Sequence, residues 1–108
     1  MCNLYAKTDP IVYESRSRTL RIHGAVTSIR LENMVWDVLS ELAAEEGMTT
    51  NHLIATLHDE MLGHLGEVSN FASFLRITSL RYLRLKRDGS AGHAAPPAVS
   101  SRLLRRVQ

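Results

Sequence analysis

The chain has 108 residues, of which 44% are apolar and 22% are charged, with a formal net charge of +2 and one cysteine. This length suffices for one modest core, the lone cysteine excludes an intrachain disulfide, and no apolar run approaches the roughly 20 residues that cross a bilayer. The N-terminus, MCNLYAKTDP, lacks the basic-then-apolar order of a secretory signal. We therefore expect a small cytoplasmic protein with no membrane partner.

The charged residues are distributed unevenly along the chain, although the net charge is small. Residues 1–31 carry five Lys or Arg and two acids, residues 32–69 carry eight acids and no Lys or Arg, and residues 70–108 carry eight Lys or Arg and one acid. Basic ends suit the phosphates of a nucleic acid, whereas an acidic middle would be repelled by them. The acids are therefore expected to form a solvated face turned away from nucleic acid, or to pair with the basic third helix predicted below.

We expect residues 1–18 to form an irregular basic arm, because they contain Pro10 and an alternation of serine and arginine from Ser15 to Arg18. The stretch RTLRIH alternates polar and apolar residues, and Gly24-Ala25 suits a tight turn. Two geometries follow from this pattern. Either residues 18–23 form a hairpin with the next strand, or residues 12–23 are a flexible basic arm that lies along a bound nucleic acid.

The stretch from Val26 to Leu31 has a period of two, which predicts a β-strand. One of its faces consists of Thr27, Ile29 and Leu31. The opposite face consists of Val26, Ser28 and Arg30. The backbone groups of a strand need hydrogen-bond partners, which two short helices cannot supply. The expected partner is the same strand of a second chain.

Two short helical patterns follow the strand. The first begins at Asn33, a favourable N-cap residue, and its apolar stripe consists of Val35, Val38, Leu39, Leu42 and Ala43. Gly47 can supply the left-handed residue that ends this helix, and Thr49 or Thr50 can cap the next one. The buried face of the second helix consists of Leu53, Ile54, Leu57 and Met61.

A third helix is predicted from Phe71 to about Lys86, with Asn70 as its cap. One stripe of this helix consists of Phe71, Phe74, Leu75, Thr78 and Tyr82. A second apolar patch consists of Ile77, Leu80 and Leu83, and such a wide apolar surface should be covered on more than one side. Residues 88–101 have the composition of a disordered linker, and RLLRRVQ that of a short basic tail.

The chain resembles the ribbon-helix-helix family of bacterial repressors and antitoxins, in its branch with an additional C-terminal helix. The resemblance covers roughly residues 19–85 and rests on the strand TSIRL, the helix start LENMVWDVL and the turn EEGMTTNHLI. It implies a mainly α fold with a short β-ribbon, assembled as a homodimer. The implied organisation is a basic arm (1–18), a ribbon-helix-helix domain with a third helix (19–87) and a disordered basic tail (88–108).

The resemblance also implies roles for individual residues. Those expected to read bases in the major groove are Val26, Ser28 and Arg30. Those expected to contact phosphates are Thr49, Thr50, Asn51, Arg16, Arg18 and Arg21. Those expected in the dimer core are Ile29, Leu31, Val35, Trp36, Leu39, Leu42, Leu53, Ile54 and Leu57. The competing interpretations are an ion pair of Arg30 with Glu32 or a neighbouring acid, an ordinary N-cap at Thr49–Asn51, and a plain solvated basic arm at Arg16, Arg18 and Arg21.

The implied function is sequence-specific regulation of transcription, by a repressor whose intermolecular two-stranded ribbon enters double-stranded DNA. An antitoxin is the alternative, in which the C-terminal segment binds a toxin protein through the third helix. No enzyme, metal or cofactor is expected, because His52, His58 and His64 are spaced by six and no glycine-rich phosphate loop is present. Cys2 lacks any partnered acid and base for a nucleophilic role.

Overall fold

The computed structural model of the chain describes residues 2–89, with side chains from residue 4 onward. Its elements are α1 (Cys2–Ala6), α2 (Pro10–Tyr13), β1 (Ser15–Ile22), β2 (Ala25–Glu32), α3 (Asn33–Glu45), α4 (Thr50–Leu65) and α5 (Phe71–Gly89). The three predicted helices are thus α3, α4 and α5. This order confirms the predicted fold class, which is mainly α with a short β-ribbon and an additional C-terminal helix.

The β-ribbon is an antiparallel hairpin within one chain. β1 pairs with β2 from Ser15 opposite Glu32 to Ile22 opposite Ala25. The turn residues His23 and Gly24 have φ values of +53° and +80°, as a two-residue hairpin turn with two left-handed positions requires. Of the two geometries open from the sequence, the hairpin is therefore the one observed. The prediction that this pairing needs a second chain is wrong, because β1 supplies the partner strand.

The predicted irregular arm contains regular structure. It forms α1, α2 and the first half of β1, so the fold does not begin at residue 19. The α2 segment is hydrogen-bonded to the start of α3: the Asn33 backbone N–H donates to the Glu14 carbonyl (2.8 Å), and Asn33 Nδ2 donates to the Ile11 carbonyl (2.7 Å). Asn33 is the first residue of α3 rather than its N-cap. The N-cap position is held by Glu32, whose side chain makes no capping hydrogen bond.

The hydrophobic core lies between the inner face of the hairpin and the helices. The hairpin contributes Leu20, Ile22, Ile29 and Leu31. The helices contribute Trp36, Val38, Leu39, Leu42, Ala43, Leu53, Ile54, Leu57, Leu75 and Tyr82. The predicted alternation of β2 and the stripes of α3 and α4 are thus confirmed, except that Val35 is only half-buried.

The helix boundaries follow from local capping. Gly47, at φ +72°, ends α3 in the predicted left-handed conformation, and the Met48 N–H donates to the Ala43 carbonyl (2.9 Å). Thr49 caps α4, because its hydroxyl accepts a hydrogen bond from the His52 N–H (3.0 Å). Asn70 has a left-handed φ of +53° and accepts at its carbonyl from Phe74.

α5 extends to Gly89, beyond its predicted end at Lys86. Its predicted stripe lies against the core, with Leu75, Thr78 and Tyr82 buried. Of the second apolar patch, Leu83 packs partly buried against the core, whereas Ile77 is 52% and Leu80 is 61% exposed. Of the predicted tail, residues 90–108 lie outside the described residues.

Polar contacts between α5 and the acidic middle of the chain hold the helix in place. Arg76 Nε donates to Glu32 Oε1 (2.8 Å), Lys86 Nζ donates to Glu45 Oε2 (3.1 Å), and the Tyr82 hydroxyl donates to the same carboxylate oxygen of Glu45. The bond from Tyr82, followed by that from Lys86, holds the pKa of Glu45 below its usual value. These contacts confirm that part of the acidic middle pairs with the basic third helix.

Candidate nucleic-acid interface

The surface of the hairpin opposite the core is polar and exposed. Residues directly opposite each other in an antiparallel ladder share a face, so the register places four cross-strand pairs on it, of which Ser15 with Glu32 lies at the base of the hairpin. We call the other three pairs the outer hairpin face; they are Ser17 with Arg30, Thr19 with Ser28, and Arg21 with Val26. All six residues are exposed, and the apolar Val26 is 64% exposed. The three predicted base-reading residues therefore lie together on one accessible surface.

The outer hairpin face carries two positive charges without neutralising partners. Within residues 2–89, neither Arg21 nor Arg30 forms an ion pair. Glu32, the expected competitor for Arg30, is instead bonded to Arg76 at 2.8 Å. That bond is the main reason why the pKa of Glu32 lies below its usual value. The competing interpretation, an ion pair between Arg30 and Glu32, is therefore not observed.

Two of the predicted phosphate-contacting arginines lie on the other side of β1. Arg16 and Arg18 stand opposite Leu31 and Ile29, so they share the inner side of the hairpin. The guanidinium of Arg18 lies 5.0 Å from the centroid of the Trp36 ring, where a cation is attracted to the ring face. Arg16 is exposed, and its backbone carbonyl accepts from Trp36 Nε1 (3.0 Å). Of the three arginines, only Arg21 accompanies Arg30.

The other predicted phosphate contacts lie at the start of α4. Thr49 serves as the N-cap, while Thr50 and Asn51 are half-buried. The positive end of the helix dipole lies here and favours anions. Among the described residues no hydrogen bond joins these three to the outer hairpin face, so they form a separate location.

The residues predicted for the dimer core are, with one exception, buried within the single chain. With the exception of Val35, each is buried against other residues of the same chain; they are Ile29, Leu31, Trp36, Leu39, Leu42, Leu53, Ile54 and Leu57. Their burial therefore does not require a second chain. The reason is that β1 and α5 cover surfaces that a shorter strand-helix-helix unit would leave open.

Sequence reasoning missed two features of the interface. Ser17 and Thr19 belong to the outer hairpin face. The alternation of RTLRIH indicates a strand at Thr19, whereas Ser17 precedes that stretch and falls in the predicted irregular arm. His23 joins the hairpin tip to α4, since its Nε2 lies 2.5 Å from Asp59 Oδ1. The His23 bond is the largest cause of the lowered pKa of Asp59. The tip is thereby held against a helix rather than free in solvent.

The described residues form neither a metal centre nor a membrane-spanning helix. Between residues 2 and 89 no three His, Cys, Asp or Glu side chains are grouped as metal ligands. No helix in that range combines the length and apolar character of a membrane span. The side chain of Cys2 lies outside the described residues.

Comparison with known proteins supports the fold. The sequence profile of a family described as "Ribbon-helix-helix domain" matches residues 15–83. Among solved structures, the chain is similar to an uncharacterized protein from Bordetella pertussis Tohama I, with 40% identity, a TM-score of 0.79, and coverage of 100% of this chain and 82% of that one. No curated protein matches the chain.

The hairpin followed by α3 and α4, together with the profile match, defines the class: the chain belongs to the ribbon-helix-helix family. The fold of this family is a non-enzymatic DNA-binding fold, and its members are typically dimeric DNA-binding regulators or antitoxins. The matched segment begins at Ser15, where β1 begins. The family's domain therefore includes both strands of the hairpin.

Proposed function

We propose that the protein is a sequence-specific DNA-binding regulator of transcription that inserts its outer hairpin face into the major groove. The observation that carries this proposal is the exposed polar face with Arg21 and Arg30 unpaired within the described chain. Paired strands lie about 4.8 Å apart and the major groove is about 12 Å wide, so a two-stranded ribbon fits. Each base pair presents a distinct set of donors and acceptors there.

Arg30 is the principal base-reading residue in this proposal. Its exposed guanidinium can donate two hydrogen bonds to O6 and N7 of a guanine, which discriminates against other bases by about 1–3 kcal/mol. Ser28 can donate to or accept from several bases, and Val26 can contact a thymine methyl group. Thr49, Thr50 and Asn51 at the start of α4 are the proposed phosphate contacts, alongside the exposed Arg16.

The active species in this proposal is a homodimer that represses by occluding its target site in the bacterial cytoplasm. Dimers are typical of the family. The single chain exposes large apolar side chains that a second copy would cover; these are Leu4, Tyr5, Ile11, Tyr13, Met34, Ile77 and Leu80. Two linked copies would also read two half-sites, which raises both affinity and specificity.

An antitoxin is the second candidate, and the exposed patch on α5 favours it. Ile77 and Leu80 offer apolar surface for a protein partner. However, α5 already packs on its own chain through Leu75 and Tyr82, whereas a toxin-binding segment commonly orders only on binding. Limited proteolysis of the isolated protein distinguishes a repressor from an antitoxin. In a repressor, residues 71–89 should resist cleavage because α5 is packed, whereas in an antitoxin they should be cleaved readily.

The experiment that tests the proposal is selection of bound duplexes from a random pool. The affinity for the selected duplex and for a scrambled one is then measured at two salt concentrations. We expect a clear preference for the selected duplex and an affinity that falls steeply with salt. Equal affinity for both duplexes at either salt concentration would contradict sequence-specific regulation.

The residue-level test compares two exposed arginines. Arg30→Ala should abolish the preference and leave weak, salt-sensitive binding, since the phosphate contacts remain. Arg84→Ala removes an equally charged, exposed side chain from α5 and should keep the preference. A preference that survives in Arg30→Ala would exclude Arg30 as the principal base-reading residue.

A further inference from the structure

We infer that β1 supplies half of the base-reading surface, with Arg21 and Thr19 reading bases beside Arg30 and Ser28. This inference rests on the proposed function. The family resemblance assigns base reading to one strand of each chain and places Arg21 with the phosphate contacts. The intrachain hairpin changes that assignment, because it sets Thr19 opposite Ser28 and Arg21 opposite Val26.

The register determines which arginines of β1 can reach a base. Directly opposite residues have Cβ atoms about 4.5–5.5 Å apart and point to the same side. Arg21 therefore points with Arg30 away from the core, whereas Arg18 points inward and lies over Trp36. Arg21 is exposed, is not ion-paired within residues 2–89, and faces only the apolar Val26 across the ladder. No described residue competes with a base for its guanidinium.

The spacing of Arg21 and Arg30 predicts the distance between the two base pairs that they would contact. Arg21 stands opposite Val26, four residues along β2 from Arg30. At about 3.3 Å per residue this is roughly 13 Å, close to four steps of about 3.4 Å along a DNA strand. A ribbon lying along the groove would thus place the two guanidinium groups about four base pairs apart. The inferred target contains two guanines at that separation, with Thr19 and Ser28 over the base pairs between them.

The hairpin is held so that its tip and base keep this spacing. At the tip, His23 Nε2 contacts Asp59 Oδ1 on α4 at 2.5 Å. At the base, Glu32 accepts from Arg76 on α5 at 2.8 Å. Both ends of the ribbon are therefore tied to different helices. A face fixed at both ends presents its two arginines at a constant separation, which specific recognition requires.

The test repeats the selection of duplexes from a random pool with Arg21→Ala, Arg21→Lys, Thr19→Ala, Arg30→Ala and the control Arg84→Ala. We expect Arg21→Ala to lose the preference for guanine at one position, about four base pairs from the position lost by Arg30→Ala. The loss should be roughly 5- to 150-fold in relative affinity, as for a bidentate contact. Arg21→Lys should restore it only in part, because an ammonium group lacks the planar pair of donors of a guanidinium. Thr19→Ala should relax a position between the two.

The opposite outcome is equally specific. If Arg21 contacts only phosphate, Arg21→Ala weakens binding to all sequences alike, the slope of log affinity against log salt falls by about one, and Arg21→Lys restores it. That result would overturn the role of β1 while Arg30→Ala still shows base reading. If the wild type selects no sequence, the proposed function fails as well.

Discussion

Arg76 on α5 binds Glu32 at the end of β2, with 2.8 Å between Nε and Oε1. Glu32 lies on the same side of β2 as Arg30, two residues away. The bond therefore occupies the Glu32 carboxylate and leaves Arg30 positive and without an ion pair within the described residues. α5 contributes no residue to the outer hairpin face, yet its Arg76 keeps the positive charge of that face from being neutralised by Glu32.

Arg76→Ala should weaken DNA binding although Arg76 is outside the proposed interface. The released Glu32 carboxylate would repel phosphates and compete for Arg30, at a cost of about 1 kcal/mol, or roughly fivefold in affinity. The measurement is affinity for a selected duplex at low salt. The double variant Arg76→Ala with Glu32→Gln should recover wild-type affinity. Failure of the double variant to recover would show that Arg76 acts in another way.

Gly24→Ala should destabilise the hairpin turn. Gly24 has φ +80°, and a Cβ there would meet no atom within 4 Å, so the cost is backbone strain alone. For an L-residue this is about 1–2 kcal/mol. Gly63→Ala is the matched control: its Cβ is equally free, its φ is not left-handed, and it lies in α4, so a gain of up to about 1 kcal/mol is expected. Urea denaturation measures both, and wild-type stability of Gly24→Ala would refute the turn geometry.

Acid should destabilise the protein in part through Glu45. Its pKa is lowered in the folded state by the Tyr82 hydroxyl and then by Lys86, so folding favours the ionised form. This stabilisation is complete above the pKa of an unfolded-chain glutamate, about 4.3, and is lost as the pH falls through the lower folded-state value.

Glu45→Gln, and separately Tyr82→Phe, should therefore show a weaker dependence of the free energy of unfolding on pH in the acid range. Urea denaturation at a series of acidic pH values measures this slope. The Tyr82 variant tests the hydroxyl, because it keeps the buried ring. Slopes identical to that of the wild type in both variants would contradict the assignment.

Opposite faces of β2 should respond differently to one substitution. Leu31 is fully buried, so Leu31→Asp places an unpaired charge in the core, costs several kcal/mol and should unfold the chain. Val26 is 64% exposed, so Val26→Asp should keep the fold and weaken DNA binding by adding a negative charge to the outer hairpin face. Circular dichroism and gel filtration distinguish the two. A folded Leu31→Asp protein would contradict the strand assignment.

Periodicity was sufficient to predict the faces of the elements. The alternation of Thr27, Ile29 and Leu31 correctly placed one side of β2 inward, and Gly47 correctly marked the end of α3. These predictions depend only on residues near in sequence, where side-chain direction is set by the geometry of the strand or helix.

The partner of β2 was not predictable in the same way. The inward positions at the start of β1 hold Arg16 and Arg18, so the pattern there resembles a solvated arm. Arg18 occupies an inward position because its guanidinium stacks on Trp36, a contact between residues 18 positions apart that no local period reveals. The pairing of Glu32 with Arg76, 44 positions apart, was hidden for the same reason.

DNA binding by the hairpin is tested by titrating isotope-labelled protein with a selected duplex and recording NMR spectra of the backbone amides. We expect the largest chemical-shift changes on residues 17–21 and 26–30 of the hairpin. Smaller changes are expected at the start of α4, around Thr50. Changes concentrated around Ile77 and Leu80 on α5, with the hairpin amides unmoved, would contradict the claim that this hairpin binds DNA.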